Sequence, residues 1–227
     1  MAYLRDRVIV LKREAYRERD RRYTMYGREH GLLVAVARGS CSSSSKQAGH
    51  LEPFSESEVM IAKGKYFDSL AVARLQSSPV MNWSSKSGLS CFAIAGAVSD
   101  MVIRLTRPGI SDVQVFELLQ EVQQTLNWFP HEPTPDRARL LLSAVTLRLL
   151  GLTGFAPPIE KNPEQTTLMP SLALISYMRS MSLAHVAKVT ASVDVLHSAC
   201  EFVDEAVKQT PLERELHGAL TVQALMG

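Results

Sequence analysis

The sequence predicts an α+β protein of two domains, a five-stranded β-barrel within residues 1–80 and an all-helical domain over residues 81–227. Apolar residues in the first part form short β-branched runs between turn residues, whereas after residue 80 they recur every three or four positions. Charge divides at the same point. Residues 1–80 hold 14 lysines and arginines against nine acidic residues, a balance of +5, and the remainder has a balance of −3. This asymmetry indicates a polyanionic partner for the first domain.

Five extended segments are predicted in the first domain. They are Val8–Leu11, Tyr23–Tyr26, Leu32–Ala37, Glu58–Ala62 and Tyr66–Arg74. The glycine-bounded segment 27–31 between the second and third runs is a hairpin signal. The polar stretch 38–49, with its unbroken serines, predicts a loop. Five strands is the number found in the OB-fold, so we expect an OB-fold barrel.

The second domain has the period of amphipathic helices. The first helix should place one apolar stripe inward, formed by Leu89, Phe92, Ile94, Ala97, Met101 and Leu105. A second helix is expected to begin near Ser111–Asp112 and a third after the proline-rich segment 133–136. Residues 151–165 predict a loop. Further helices are predicted at 171–180, 191–208 and 212–225.

Several classes of protein are disfavoured by the sequence. No apolar run reaches the roughly 18–20 residues of a membrane span, and no signal peptide is visible, so we expect a cytoplasmic protein. Cys41, Cys91 and Cys200 are far apart, which fits neither a disulfide framework nor a zinc site. No metal-binding HExxH, phosphate loop or GxSxG motif occurs, and the histidines are scattered. We therefore expect no catalysis, no cofactor and no metal.

A basic stretch with interleaved tyrosines is the strongest local signal. Its candidate DNA-binding residues are Lys12, Arg13, Arg17, Arg19, Arg21 and Arg22, joined by Arg28, Arg38, Lys46, Lys63 and Lys65 in turns of the same barrel. Candidate base-stacking rings are Tyr16, Tyr23 and Tyr26. Proteins that bind single strands combine cations along the phosphates with rings on which bases stack. The alternative is that the interleaved acids neutralise the arginines and the tyrosines belong to the core.

The helical domain offers a weaker indication of a binding site. Arg137, Arg139 and Arg148 accompany a markedly apolar helix. A groove flanked by arginines could capture an acidic peptide with apolar tips. The simpler alternative, an ordinary helix with one core face and one solvent face, is favoured.

Taken in order, several segments resemble the RecO family of recombination mediators. The resemblance begins with Val8–Lys12, the Y-x-E-x-D element at 16–20, Tyr23–Thr24 and Arg28–Gly31. It continues with the A-R-G strand end at 37–39 and the L-x-P-F element at 51–54. The L-x-x-x-G-F-x-P pattern of the family is present at 150–157. The motifs are dense over residues 8–54 and thin in the second half.

The resemblance implies an OB-fold that binds single-stranded DNA, and duplex DNA as well, followed by a helical domain. It also implies annealing of complementary strands and cooperation with RecR in loading RecA onto strands coated by single-strand-binding protein. The helical domain would recognise the acidic C-terminal tail of that coating protein, with Arg137, Arg139 and Arg148 as candidates. A bacterial, nucleoid-associated location follows. A protein–protein adaptor with incidental DNA contact, or an enzyme acting on nucleic acid, are the alternatives.

The sequence departs from the family pattern in two places. Many members carry a four-cysteine zinc site after G-F-x-P, but residues 159–165 contain neither cysteine nor histidine, so we expect that the zinc site is lost. The loop after A-R-G is usually basic, yet here Lys46 is the one cation in a serine-rich segment. DNA contact should therefore depend more on the stretch from Lys12 to Arg28.

Overall fold

The structure, a computed structural model, describes residues 2–41, 48–78, 87–128, 134–158 and 170–210. Its first part is a barrel of five strands: β1 (Tyr3–Ala15), β2 (Arg21–Gly27), β3 (Gly31–Ala37), β4 (Glu56–Ala62) and β5 (Ser69–Ser77). The strand order in the closed barrel is β1-β2-β3-β5-β4. All neighbours are antiparallel except β3 and β5, which close the barrel in parallel at Val36 and Ser69. The predicted OB-fold barrel is confirmed.

The barrel interior is filled by alternate strand residues. Side chains from every strand, including Val8, Tyr23, Leu33, Ile61 and Leu70, form one buried cluster. Alternation of this kind is what a strand with one face inward requires. Strand β1 is long enough to pair with both β2 and β4, and an irregularity between Val10 and Lys12 changes its register with β2. An irregularity of this kind bends a strand, and a bent β1 can pair with β2 along one edge and with β4 along the other.

A buried carboxylate fixes the hairpin between β2 and β3. The Asp6 carboxylate accepts hydrogen bonds from the backbone N–H groups of Glu29 and His30, at 3.2 and 3.0 Å, and lies 3.0 Å from the His30 Nδ1 atom. Gly27 lies against this carboxylate, where a Cβ atom would collide with it. Gly31 has a φ of +64°, a conformation that favours glycine. The turn therefore depends on residues from two separate segments.

Part of the chain beyond the barrel belongs to the same compact unit. This unit comprises Met1–Trp83 and Thr106–Gln123, and so includes the first three turns of helix α2 (Val113–Trp128). Gln123 donates to the Phe54 carbonyl at 3.0 Å and accepts from the Ser77 hydroxyl at 3.1 Å. Gln120 donates to the buried carboxylate of Glu56 at 3.0 Å. Helix α2 thus satisfies polar groups on the outer surface of the barrel.

The second compact unit, Ser84–Leu105 with Gln124–Gly227, consists of helices and their connecting segments where it is described. Besides the end of α2 it contains α1 (Ser87–Leu105), α3 (Pro135–Leu152), α4 (Pro170–Ser180), α5 (Leu183–Val186) and α6 (Val193–Lys208). Helix α3 lies at the centre of this unit, because most of its residues are buried and they occupy all faces of the helix. Thr134 caps its N-terminus, where Pro135 needs no hydrogen-bond partner.

Two details of the helical prediction differ from the structure. The predicted inward stripe of α1 is wrong at its start, because Leu89 is 79% exposed and Phe92 is 46% exposed. Burial in α1 begins instead at Cys91 and continues through Ile94. The short helix α5 was not predicted, and the predicted helix at 212–225 lies outside the described residues. None of the described helices is long and apolar enough to cross a membrane.

The three cysteines are free thiols in different environments. Cys41 is exposed, whereas Cys91 and Cys200 are buried. Burial raises the pKa of Cys91 to about 11 and also raises the pKa of Cys200. The two buried thiols are therefore protonated and unreactive near neutral pH.

Candidate nucleic-acid interface

Loop L12 (residues 16–20) joins β1 to β2 and is tied to the end of β3. It closes as a tight turn in which the Tyr16 N–H donates to the Asp20 carbonyl at 3.0 Å. The Asp20 carboxylate accepts a hydrogen bond from the Gly39 N–H at 2.9 Å. Arg38 directly precedes that glycine. The Asp20 contact therefore holds Arg38 beside L12.

Loop L45 (residues 63–68) joins β4 to β5 and has a similar internal carboxylate. Asp68 accepts hydrogen bonds from the Lys63 ammonium at 2.7 Å and from the Gly64 N–H at 3.2 Å. Its backbone carbonyl accepts from the Val36 N–H of β3 at 2.9 Å. Gly64 lies against the Phe67 carbonyl, where a Cβ atom would collide. These contacts fix the turn that carries two adjacent aromatic residues, Tyr66 and Phe67.

The two loops meet through a stack of rings and guanidinium groups. The Phe67 ring lies 5.8 Å from the Arg17 guanidinium and 5.9 Å from that of Arg38, measured to the ring centroid. Arg17 also lies 5.2 Å from the centroid of Tyr16, and the two rings are 6.4 Å apart at an angle of 58°. Cations within about 6 Å of an aromatic centroid are attracted to its negative face. Phe67 therefore joins three separate segments of the chain.

An open cleft of about 460 Å³ lies beside this stack. Its lining residues are Arg38, Ala62, Lys63, Gly64, Lys65, Tyr66, Phe67 and Ser69. The Tyr66 side chain is 86% exposed, and the Lys65 ammonium lies 5.4 Å from its ring centroid. We call the group of Tyr16, Arg17, Arg38, Lys63, Lys65, Tyr66 and Phe67 the aromatic–basic rim. It combines the two chemical features that a single strand requires, cations and accessible rings.

The predicted basic residues fall into two groups. Five are paired with carboxylates: Lys12 and Arg22 with Glu14, Arg13 with Glu52, Arg28 with Glu117 and Lys63 with Asp68. The hydrogen bond from Lys12, followed by that from Arg22, lowers the pKa of Glu14. In the described part of the chain, Arg17, Arg19, Arg38 and Lys65 have no carboxylate partner. Lys46 lies outside the described residues.

Arg21 has a different environment from the other cations. It begins β2 and is half-buried. The nearby Tyr23 hydroxyl, with a weaker contribution from Cys41, raises the pKa of its guanidinium. Arg21 remains charged at any physiological pH.

Two of the three predicted stacking residues are wrong. Tyr23 is 0% exposed and fills the barrel interior, and Tyr26 is 1% exposed. The Tyr26 hydroxyl is held by the backbone of Asp112, at 3.2 to 3.3 Å. Neither ring has a face on which a base could stack. Tyr16 is in the rim, and Phe67 and Tyr66 were missed because Tyr66 was predicted to begin a strand.

The three arginines predicted to hold an acidic peptide do not share one face of α3. At about 100° per residue, Arg137 and Arg148 lie on one side and Arg139 nearly opposite. Arg139 forms an ion pair with Asp204 at 3.0 Å, and Arg148 donates to the Met178 carbonyl at 2.9 Å. Both side chains thus contribute to packing within the second unit, and the predicted groove between them is not formed by this helix.

Comparison with known proteins bears on the barrel first. Residues 1–79 match the family model described as the N-terminal domain of recombination protein O. The chain is 27% identical over 154 residues to the DNA repair protein RecO of Pelotomaculum thermopropionicum, covering 67% of this chain and 56% of that protein. Residues 1–79 therefore belong to the RecO N-terminal domain family. The match to the RecO N-terminal model takes in all five strands and every residue of the aromatic–basic rim.

Two further RecO proteins show a similar extent of likeness. That of Desulforudis audaxviator is 27% identical over 160 residues, which cover 70% of this chain and 60% of the relative. That of Heliobacterium modesticaldum is 28% identical over 161 residues, which cover 70% and 55%. The chain thus spans between about half and two thirds of the length of these RecO relatives.

Proposed function

We propose that this protein is a non-catalytic mediator of DNA repair and recombination that binds single-stranded DNA through the aromatic–basic rim. The observation that carries the proposal is the convergence of L12, the end of β3 and L45 into one cluster of unpaired cations and rings. In OB-folds the loops L12 and L45 border the surface that binds oligonucleotides. The three relatives are each named as DNA repair proteins, which agrees with this role.

The phosphates of the strand would follow Arg17, Arg38 and Lys65, because these cations have no internal carboxylate to displace. Such contacts fix the path of the strand and read no sequence. Bases that are not engaged by the rim would stay accessible to a second strand, which allows annealing of complementary strands. Duplex DNA would bind through the same cations by charge alone.

The remaining steps of the proposal involve partner proteins, and they are supported by the likeness to RecO proteins. The protein would act in the bacterial cytoplasm, at the nucleoid. It would work with RecR to load RecA onto strands coated by single-strand-binding protein, and it would recognise the acidic tail of the coating protein through its helical domain. In the described part of the chain, Arg139 forms an ion pair and Arg148 donates to a backbone carbonyl, whereas neither kind of contact is found for the Arg137 side chain. No cofactor and no metal take part.

A salt titration of the full-length chain with a labelled single strand tests the central claim. If about four to six phosphates are neutralised, log K should fall with log salt at a slope of roughly −3 to −4. Affinity without salt dependence would overturn the electrostatic mode. If the protein captures RecR and binds no oligonucleotide, the adaptor alternative is correct. Turnover of labelled DNA with Mg²⁺ and ATP would instead reveal an enzyme.

A further inference from the structure

We infer that the cleft of the aromatic–basic rim holds an unpaired nucleobase, which stacks on the ring of Tyr66. The inference rests on the proposed binding of single strands and names the group that would distinguish unpaired bases from paired ones. It separates two roles that the adjacent rings Tyr66 and Phe67 have in the structure. One ring is engaged within the protein, and the other is open to a ligand.

Phe67 is the engaged ring. Two guanidinium groups, from Arg17 and Arg38, lie within 5.9 Å of its centroid, and the Tyr16 ring is inclined against it. A base could stack on Phe67 only after displacing one of these arginines. Phe67 is therefore a positioning residue that holds L12, the end of β3 and L45 together.

Tyr66 is the open ring. At 86% exposure it is the most exposed tyrosine of the described residues, in a protein whose Tyr23 and Tyr26 are fully buried. It has no part in the barrel core, so a packing role does not account for an aromatic residue at this position. The Lys65 ammonium, 5.4 Å from its centroid, is a single cation and can cover only one face of the ring, which leaves the other face for a base. It is also suited to a phosphate next to that stacked base.

The cleft has the size and chemistry that a base requires. Its volume of about 460 Å³ lies within the usual range of small-ligand sites. Apolar ring surface from Tyr66 and Phe67 lines it, and Arg38 and Lys65 provide cations at its border. A base in a duplex is already stacked and paired, so it cannot enter without being extruded from the helix. The cleft therefore selects unpaired nucleotides.

The test compares three labelled probes by fluorescence anisotropy at fixed salt: an oligothymidylate, an abasic strand of equal length, and a duplex of equal length. The thymidylate and abasic strands carry the same phosphates and differ in their bases. Stacking of one base on an aromatic ring changes affinity by roughly 5- to 150-fold. We expect the wild-type protein to prefer thymidylate over the abasic strand by a ratio in that range.

Tyr66→Ala should reduce this ratio towards one and leave the affinities for the abasic strand and the duplex unchanged. Tyr66→Phe should retain the wild-type ratio, because the ring remains. Tyr3→Ala is the matched control, since Tyr3 is also exposed, at 58%, but lies on β1 outside the rim. It should behave as wild type.

Two results would overturn the inference. The first is equal affinity of the wild-type protein for thymidylate and abasic strands, and the second is a Tyr66→Ala variant that keeps the wild-type ratio. In either case salt-dependent binding would still support the proposed function. Failure of the wild-type protein to bind any of the three probes would overturn the proposed function itself.

Discussion

Charge removal at the rim gives the sharpest test of how this barrel would hold a strand. Two triple variants remove the same charge from the same domain. The rim triple, Arg17, Arg38 and Lys65 to Ala, removes three cations without carboxylate partners among the described residues. The control triple, Lys12, Arg13 and Arg22 to Ala, removes three cations paired with Glu14 or Glu52. Net charge falls by three in both.

The expected magnitude follows from counterion release. Each phosphate contact to a single strand contributes about 0.7 to the slope of log K against log salt, so three contacts contribute roughly 2. Because this contribution vanishes near 1 M salt, at 0.1 M the rim triple should bind about 100-fold more weakly than wild type. A paired cation must first leave its carboxylate, so the control triple should lose far less and keep most of its slope.

The assay is anisotropy with a labelled single strand, titrated from low to high salt for wild type and both triples. Circular dichroism spectra confirm that each variant is folded. If both triples lose affinity and slope equally, binding responds to total charge and the rim has no special part. A larger loss for the control triple would place the strand along β1 and β2 instead.

Three further predictions concern the parts that support the rim. Phe67→Leu removes the ring that holds two arginines, so these arginines must be ordered on binding, and the affinity for normal and abasic strands alike should fall by about 1–3 kcal/mol. Phe67→Tyr is the control, because it keeps the ring and should keep the affinity. Unchanged affinity of the Phe67→Leu variant would refute the positioning role. Asp6→Ala leaves hairpin N–H groups without an acceptor and should lower the free energy of unfolding in urea by about 3 kcal/mol, against under 1 kcal/mol for the exposed Asp100→Ala; equal losses would contradict this. A fragment ending at residue 80 should melt below one ending at residue 123, because it lacks the polar contacts of α2; equal melting temperatures would show that the barrel does not need them.

Much of the barrel could be predicted from the sequence because strand formation is a local property. Runs such as Val8–Leu11 and Leu32–Ala37 are β-branched and bounded by turn residues, and both lie within strands of the structure. The sequence predicts a start of β5 at Tyr66, ahead of its true start at Ser69, because Tyr66 and Phe67 are also β-prone. The turn around Asp68, which moves both rings into a loop, depends on hydrogen bonds between side chain and backbone.

The burial of the tyrosines in β2 shows what local pattern cannot provide. Tyr23 and Tyr26 are three residues apart, so they point to opposite faces of the strand. Alternation alone would bury one and expose the other. The outer ring, Tyr26, is nevertheless buried, and its hydroxyl contacts Asp112, which lies 86 positions along the chain. The sequence of β2 alone cannot show that such a distant segment will cover its outer face.

The basic run between Lys12 and Arg28 illustrates the same difficulty for charge. In the sequence it is the densest group of cations, and it therefore predicts the DNA contact. The β1–β2 register places Glu14 directly opposite Arg22, and cross-strand neighbours of opposite charge attract. Glu14 also forms an ion pair with Lys12, so one carboxylate is shared by two cations of this run. Arg17 and Lys65 lie in loops with no strand opposite them and have no carboxylate partner among the described residues, whereas Lys63 pairs with Asp68 inside its own turn. The sparser cations of L12 and L45 are therefore better placed for phosphates than the dense run on the strands.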